Sequence, residues 1–82
     1  MLSLELLGTQ GCHLCDDAEQ VLVSCLDLSQ VHIEVVDIAE SDALMLVYAT
    51  RIPVLRHLAS NSDLEWPFQA HQVQRFIAHL ES

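Results

Sequence analysis

An alternating run, Leu2, Leu4 and Leu6 with Ser3 and Glu5 between them, leads through Gly8-Thr9-Gln10-Gly11 directly into Cys12-His13-Leu14-Cys15. This succession constrains the fold more than any other feature of the chain. Strict alternation marks a half-buried strand, the glycine-flanked segment a loop, and the residues from Cys12 onward the opening of a helix, so the strand delivers both cysteines to a strand-helix junction. Two intervening residues let the sulfurs meet in a disulfide, and thiol redox chemistry is the expected use. A cysteine in the first turn of a helix has its thiolate stabilised by the positive end of the helix dipole and by unsatisfied backbone N–H groups. Cys12 is therefore the candidate nucleophile. Cys15, one turn further in, suits the resolution of a mixed disulfide.

The remaining pattern is that of a single domain spanning 1–82, since 82 residues allow only one small core. After the cysteines, Leu14, Ala18, Val21, Leu22 and Cys25 fall on one helical stripe, with Asp16, Asp17 and Glu19 near the start, and the spacing predicts a helix over 12–28. The β-branched stretch 31–38 predicts a second strand, parallel to the first through a right-handed crossover. Ser41 is a suitable N-cap for a helix through 49, with Leu44, Val47 and Tyr48 on one side, ending before Ile52-Pro53. A third strand over 54–58, a turn at 60–63 and a short strand over 64–66 make an antiparallel hairpin. Pro67 fits the first turn of a last helix in which Val73, Phe76, Ile77 and Leu80 repeat at helical spacing. The resulting order is βαβαββα.

Charge narrows the partners. Twelve carboxylates face three arginines and no lysine, a formal net charge of −9, so nucleic acid and anionic membrane are poor partners. Solubility of an apolar-rich domain explains the acidity simply; a role in choosing a basic protein partner is the alternative. A small anionic substrate such as glutathione meets an unfavourable field unless Arg51 or Arg56 lies near the site. Three cysteines are too few for a disulfide-stapled scaffold, no stretch reaches the length of a bilayer span, and the opening residues lack the basic and apolar regions of a signal peptide. A cytoplasmic location and a monomer are expected.

The order βαβαββα, the CxxC at the first strand-helix junction and an isoleucine-proline pair opening the third strand together resemble the glutaredoxin-like branch of the thioredoxin fold. Carrying the resemblance are Gly11-Cys12-His13-Leu14-Cys15, Val35-Val36-Asp37-Ile38, Arg51-Ile52-Pro53-Val54-Leu55 and the apolar last helix. The resemblance implies an α/β fold with a four-stranded mixed sheet and helices on both faces. It also implies that Pro53 is cis and faces the cysteines, with the carbonyl and N–H of Ile52 offered to a bound thiol substrate. The chain is most similar to small bacterial glutaredoxin-like proteins in which a CxxC near the start is paired with an Arg-Ile-Pro-Val loop and a Trp-Pro before the last helix.

Departures from glutaredoxins bear on the substrate. Where those proteins present a basic residue before the first cysteine, a tyrosine within the motif and a glycine turn after the fourth strand, this chain has Gln10, His13-Leu14 and Trp66-Pro67-Phe68. Glutathione should then bind weakly, as a co-substrate at most, with Arg51 the main candidate for contact with its carboxylates; no other cofactor is expected. His13 is either an exposed helix-start residue or an imidazolium that lowers the Cys12 pKa. Trp66 is either structural or an apolar platform over the cysteines. Cys25, on the buried stripe, reads as an inert core thiol. Asp16 and Asp17 favour the helix but oppose a thiolate at Cys12. His32, His57, His71 and His79 show no ligand spacing and suit the surface.

The leading function is a thiol-disulfide oxidoreductase acting on protein disulfides with a thiol donor, Cys12 and Cys15 catalytic and Ile52, Pro53, His13, Arg51 and Trp66 around the substrate. The alternatives are a module holding zinc, copper(I) or an iron-sulfur cluster on the same CxxC, for which the motif supplies two of four ligands, and a catalytically idle thioredoxin-like adaptor.

Overall fold

The computed structural model describes residues 2–81. The elements run β1 (Leu2–Gly8), α1 (His13–Cys25), β2 (Val31–Asp37), α2 (Asp42–Tyr48), β3 (Val54–His57), β4 (Ser62–Glu65) and α3 (Ala70–Glu81), with 3-10 turns at Ile38–Glu40 and Leu58–Ser60. Among the described residues they form one four-stranded sheet in the order β2-β1-β3-β4. β2 runs parallel to β1, and β3 and β4 join antiparallel, Leu7 opposite Val54 and Leu55 opposite Leu64. The mixed sheet and the βαβαββα order are those the sequence implies.

Pleat alternation divides the core. Leu4, Leu6 and Leu55 point to one face, where Ala18 and Leu22 of α1 and Val73 and Ile77 of α3 cover them, together with Phe68. Leu7 and Val54 point to the other, against Ile38 and Tyr48 of the 3-10 turn and α2. Leu6 and Leu7 are thus consecutive and both buried, at 2% and 0% exposure, because β1 is a central strand covered on both sides at its C-terminal end. Helices on both faces follow directly. Among the described residues no buried side-chain nitrogen or oxygen lacks a partner.

Three boundaries differ from the sequence expectation by two residues or more, each for a local reason. α1 stops at Cys25 rather than near 28 because Asp27 turns the chain: its carboxylate accepts from the Ser29 N–H at 3.0 Å and from the Ser29 hydroxyl, while its carbonyl accepts from Gln30 and Val31. A short acidic side chain that bonds neighbouring backbone competes with helix. The hydrogen bond to Ser29 holds the Asp27 carboxyl below its ordinary range. β4 begins at Ser62, two residues early, because Asn61 takes the left-handed conformation (φ 57°) after the 3-10 turn and closes the hairpin tightly. α3 begins at Ala70, not at Pro67. Gln69 donates its N–H to the Gln72 side chain at 2.8 Å, one half of a capping box, and Phe68 before it shares a cluster with Val73, the arrangement of a hydrophobic staple.

The second face carries a polar network that the sequence left unpaired. Arg56 donates to Glu5 through Nε and Nη2 at 2.9 and 2.7 Å, across the β1–β3 pairing that sets the two residues opposite each other. Tyr48 anchors the end of α2 here, with the Arg51 and Arg56 guanidinium carbons 4.9 and 5.7 Å from its ring centroid and its hydroxyl 3.4 Å from Asp63.

Candidate active site

β1 ends at Gly8, and the loop that follows bonds back on itself, the Cys12 N–H donating to the Thr9 carbonyl, with Gly11 at φ 77° allowing the reversal. Cys12 is the N-cap of α1, with extended backbone (φ −85°, ψ 100°). Its sulfur accepts a hydrogen bond from the Cys15 N–H at 3.3 Å. This is the position at which serine or aspartate ordinarily caps a helix, with sulfur in place of oxygen. A thiolate here takes up a backbone donor already aimed at it and sits at the positive end of the dipole. Asp16 in the first turn works against it.

Cys12 and Cys15 are joined as a disulfide across 5.3 Å between Cα atoms, inside the range that bridged cysteines occupy. Both are half-buried, so Cys15 is less shielded than its place one turn into the helix suggests. Its sulfur packs on the end of β1: a Cβ added at Gly8 would stand 2.6 Å from Cys15 Sγ and 3.3 Å from Cys15 Cβ. Gly8 is thus a site residue that the sequence presents only as the start of a loop. Its position between a strand and a CxxC was the available signal. A Gly8→Ala variant should lose about 1 to 3 kcal/mol of stability when oxidised, with a smaller loss when reduced because a free Cys15 side chain can rotate away. Urea titrations of both redox forms measure this, and equal losses would show that Gly8 does not act through the sulfur.

On the other side of β1 from β2 lies β3, which begins at Val54. The Leu7–Val54 pair ends the β1–β3 ladder, and Pro53 immediately precedes Val54 in the chain. Asp37 pairs with Gly8 from β2. The Ile52-Pro53 peptide is cis, and so is Trp66-Pro67. Pro53 is fully buried, and its carbonyl accepts from the Trp66 N–H at 3.1 Å. Ile52 departs in one respect from the sequence reading: its N–H already donates to the Tyr48 carbonyl at 3.2 Å and is not free for a substrate.

The other sequence candidates separate into two groups. His13 is exposed in the first turn of α1, immediately after Cys12, and Leu14 beside it is 46% exposed. Trp66 is half-buried, edge-on to Phe68 at 5.1 Å and packed against the first core cluster. Arg51 stands next to Ile52-Pro53, but its guanidinium is held by Glu65 and, at 3.2 Å, by Asp63. The Glu65 hydrogen bond leads the causes that push its pKa up. Cys25 lies outside the site, part-buried against the core, with burial pushing its thiol pKa up. Among the described residues no group of three or more His, Cys, Asp or Glu side chains is placed to hold a metal ion, and no helix is long and apolar enough to cross a membrane.

Residues 3–78 match the family model of the glutaredoxin-like domain, DUF836. Among solved structures, the chain is similar to the X-ray structure of target protein XcR50 from X. campestris, at 32% identity with a TM-score of 0.80 over 93% of this chain and 96% of that one. The solution structure of XcR50 agrees at 31% identity and 0.79, covering 95% of each chain. The solution structure of Ne2328 from Nitrosomonas europaea, 23% identical with a TM-score of 0.74 over 90% of this chain and 88% of that one, shares the fold. No curated protein matches the chain.

Proposed function

We propose, on the premise that this chain belongs to the glutaredoxin-like domain family (DUF836), that it is a thiol-disulfide oxidoreductase working through the Cys12–Cys15 couple. One observation carries the reading: the Cys12 sulfur occupies the N-cap of α1 and receives the Cys15 N–H. In the reduced protein the Cys12 thiolate attacks one sulfur of a substrate disulfide, forming a mixed disulfide and expelling the first substrate thiolate. Cys15, having given its proton to solvent, then attacks Cys12 Sγ, forming the Cys12–Cys15 disulfide and expelling the second thiolate. Two electrons have passed to the substrate. A dithiol, or two equivalents of a monothiol, returns them. The Ile52 carbonyl receives a substrate backbone N–H beside the cysteines, with Pro53 buried behind it.

Protein disulfides are the proposed substrates. Gln10 offers no charge, the segment after β4 is Trp66-Pro67-Phe68 rather than a glycine turn, and Arg51 already holds two carboxylates of its own chain. Each charge-assisted hydrogen bond denied to glutathione is worth about 1.5 to 3 kcal/mol, about ten- to a hundredfold in affinity. In a side-by-side assay, a protein disulfide should be reduced at least about a hundred times more efficiently than a glutathione mixed disulfide. Efficient deglutathionylation that disappears in Arg51→Ala would overturn this preference.

The metal reading lacks support in the ligand set, since the two thiols have no third His, Cys, Asp or Glu side chain grouped with them among the described residues.

A further inference from the structure

The placement of charge about the disulfide bears on which disulfides react. Asp16 and Asp17 follow Cys15 directly and are exposed. Asp37 ends β2 opposite Gly8, the residue whose Cα faces the Cys15 sulfur. The cations do not answer them. Arg51, the arginine next to Ile52-Pro53, is shared between Asp63 and Glu65, so the group it belongs to carries a net negative charge. Arg56 is bound to Glu5 further down the sheet, and Arg75 lies in the second turn of α3 beside Gln72, Phe76 and His79. No lysine exists to supplement them.

We infer that the Cys12–Cys15 couple selects cationic substrates: disulfides flanked by positive charge, as in a basic protein segment. The inference rests on the oxidoreductase reading and adds the substrate's charge to it. Its physical content is long-ranged as well as local. The domain measures 32 × 24 × 20 Å, so at low ionic strength, where the Debye length is about 30 Å, the whole charge of −9 acts on an approaching molecule. At physiological salt, about 8 Å of screening leaves mainly the groups beside the cysteines in the chain, Asp16 and Asp17, while the Asp37 carboxylate accepts from the Ala39 N–H at 2.9 Å. A cationic disulfide is concentrated at the site by both, and its cation also offsets the carboxylates that oppose the Cys12 thiolate. An anionic disulfide is repelled by both.

The test uses three symmetrical disulfides with the same two-carbon arm and different fixed charge: trimethylammonioethyl, hydroxyethyl and sulfonatoethyl disulfide. Each oxidises the reduced full-length protein by the same balanced exchange, the dithiol becoming the Cys12–Cys15 disulfide as two small thiols are released. Rates follow from acid quenching and mass spectrometry, and each is divided by the rate of the same disulfide with dithiothreitol to remove intrinsic reactivity. At about 10 mM salt the normalised rates should fall in the order cationic, neutral, anionic, with about tenfold between neighbours, and should converge at about 1 M. The double variant Asp16→Asn, Asp17→Asn should reduce the cation preference at about 0.15 M salt by about threefold, while the low-salt preference survives on the remaining charge. Equal normalised rates for the three disulfides, or a preference indifferent to salt, would overturn the charge selection while leaving the oxidoreductase intact. Failure of all three to oxidise the dithiol would overturn the oxidoreductase reading and the inference with it.

Discussion

Replacing Cys12 with serine should abolish disulfide reduction, whereas replacing Cys15 with serine should leave a protein that accumulates a mixed disulfide with its substrate. The asymmetry follows from the N-cap. Only Cys12 has its sulfur at the positive end of α1 with a backbone N–H pointed at it, whereas Cys15 supplies that N–H and packs its sulfur on Gly8. The aimed N–H and the helix dipole favour the thiolate at Cys12, and the charges of Asp16 and Asp17 act against it. Cys25 is the internal reference, since burial raises its pKa and it has no part in the exchange. Timed alkylation of the reduced protein should label Cys12 at least about tenfold faster than Cys25 at neutral pH, in proportion to thiolate fraction. Equal rates at Cys12 and Cys15 would end the assignment of roles, and a Cys12→Ser protein that still turns over disulfides would end the mechanism.

The second large effect is structural. Phe68 is 2% exposed and belongs to the cluster in which Leu4, Leu6 and Leu55 of the sheet meet α1 and α3. It also holds the edge of Trp66 and forms the staple with Val73 that starts α3. Phe68→Ala should cost about 3 to 5 kcal/mol, the range for a buried aromatic replaced by a cavity. A domain of 82 residues is stable by about 4 to 12 kcal/mol, so the variant should lose at least about a quarter of its stability. Its melting temperature should fall by at least about 12 °C, at about 4 to 8 °C for each kcal/mol. Trp66, the one tryptophan of the chain, reports the transition by its own fluorescence. A loss below about 1 kcal/mol would mean that Phe68 does not tie α3 to the sheet.

Much of the fold was legible because its signals are local. The alternation of Leu2, Leu4 and Leu6, the stripe of Val73, Ile77 and Leu80 and the Ser41 cap each need only a few neighbouring residues to express a period or a hydrogen bond, and Ser41 does accept from the Leu44 N–H at 3.3 Å. Element ends were less legible. The Asx turn at Asp27 and the left-handed Asn61 settle α1 and β4 by single side-chain and backbone choices that a hydrophobic period does not register. For Pro67 the proline signal pointed to a helix start, yet the Gln69–Gln72 bond and the Phe68 staple moved that start to Ala70.

The sequence by itself determined that one small α/β domain carries a CxxC where its first strand meets its first helix, and placed Cys12 at the helix start, because chain connectivity and the 2.0 and 3.6 periods are written in consecutive residues. Only the tertiary structure decided what surrounds the sulfurs. Gly8 becomes a site residue because Cys15 folds back onto it. Arg51, expected to meet a substrate carboxylate, is instead held by Asp63 and Glu65 because the β3–β4 hairpin brings those carboxylates to it from twelve and fourteen residues away. Such pairings depend on strand register and on which face each side chain takes, and a shift of one residue would reverse them all.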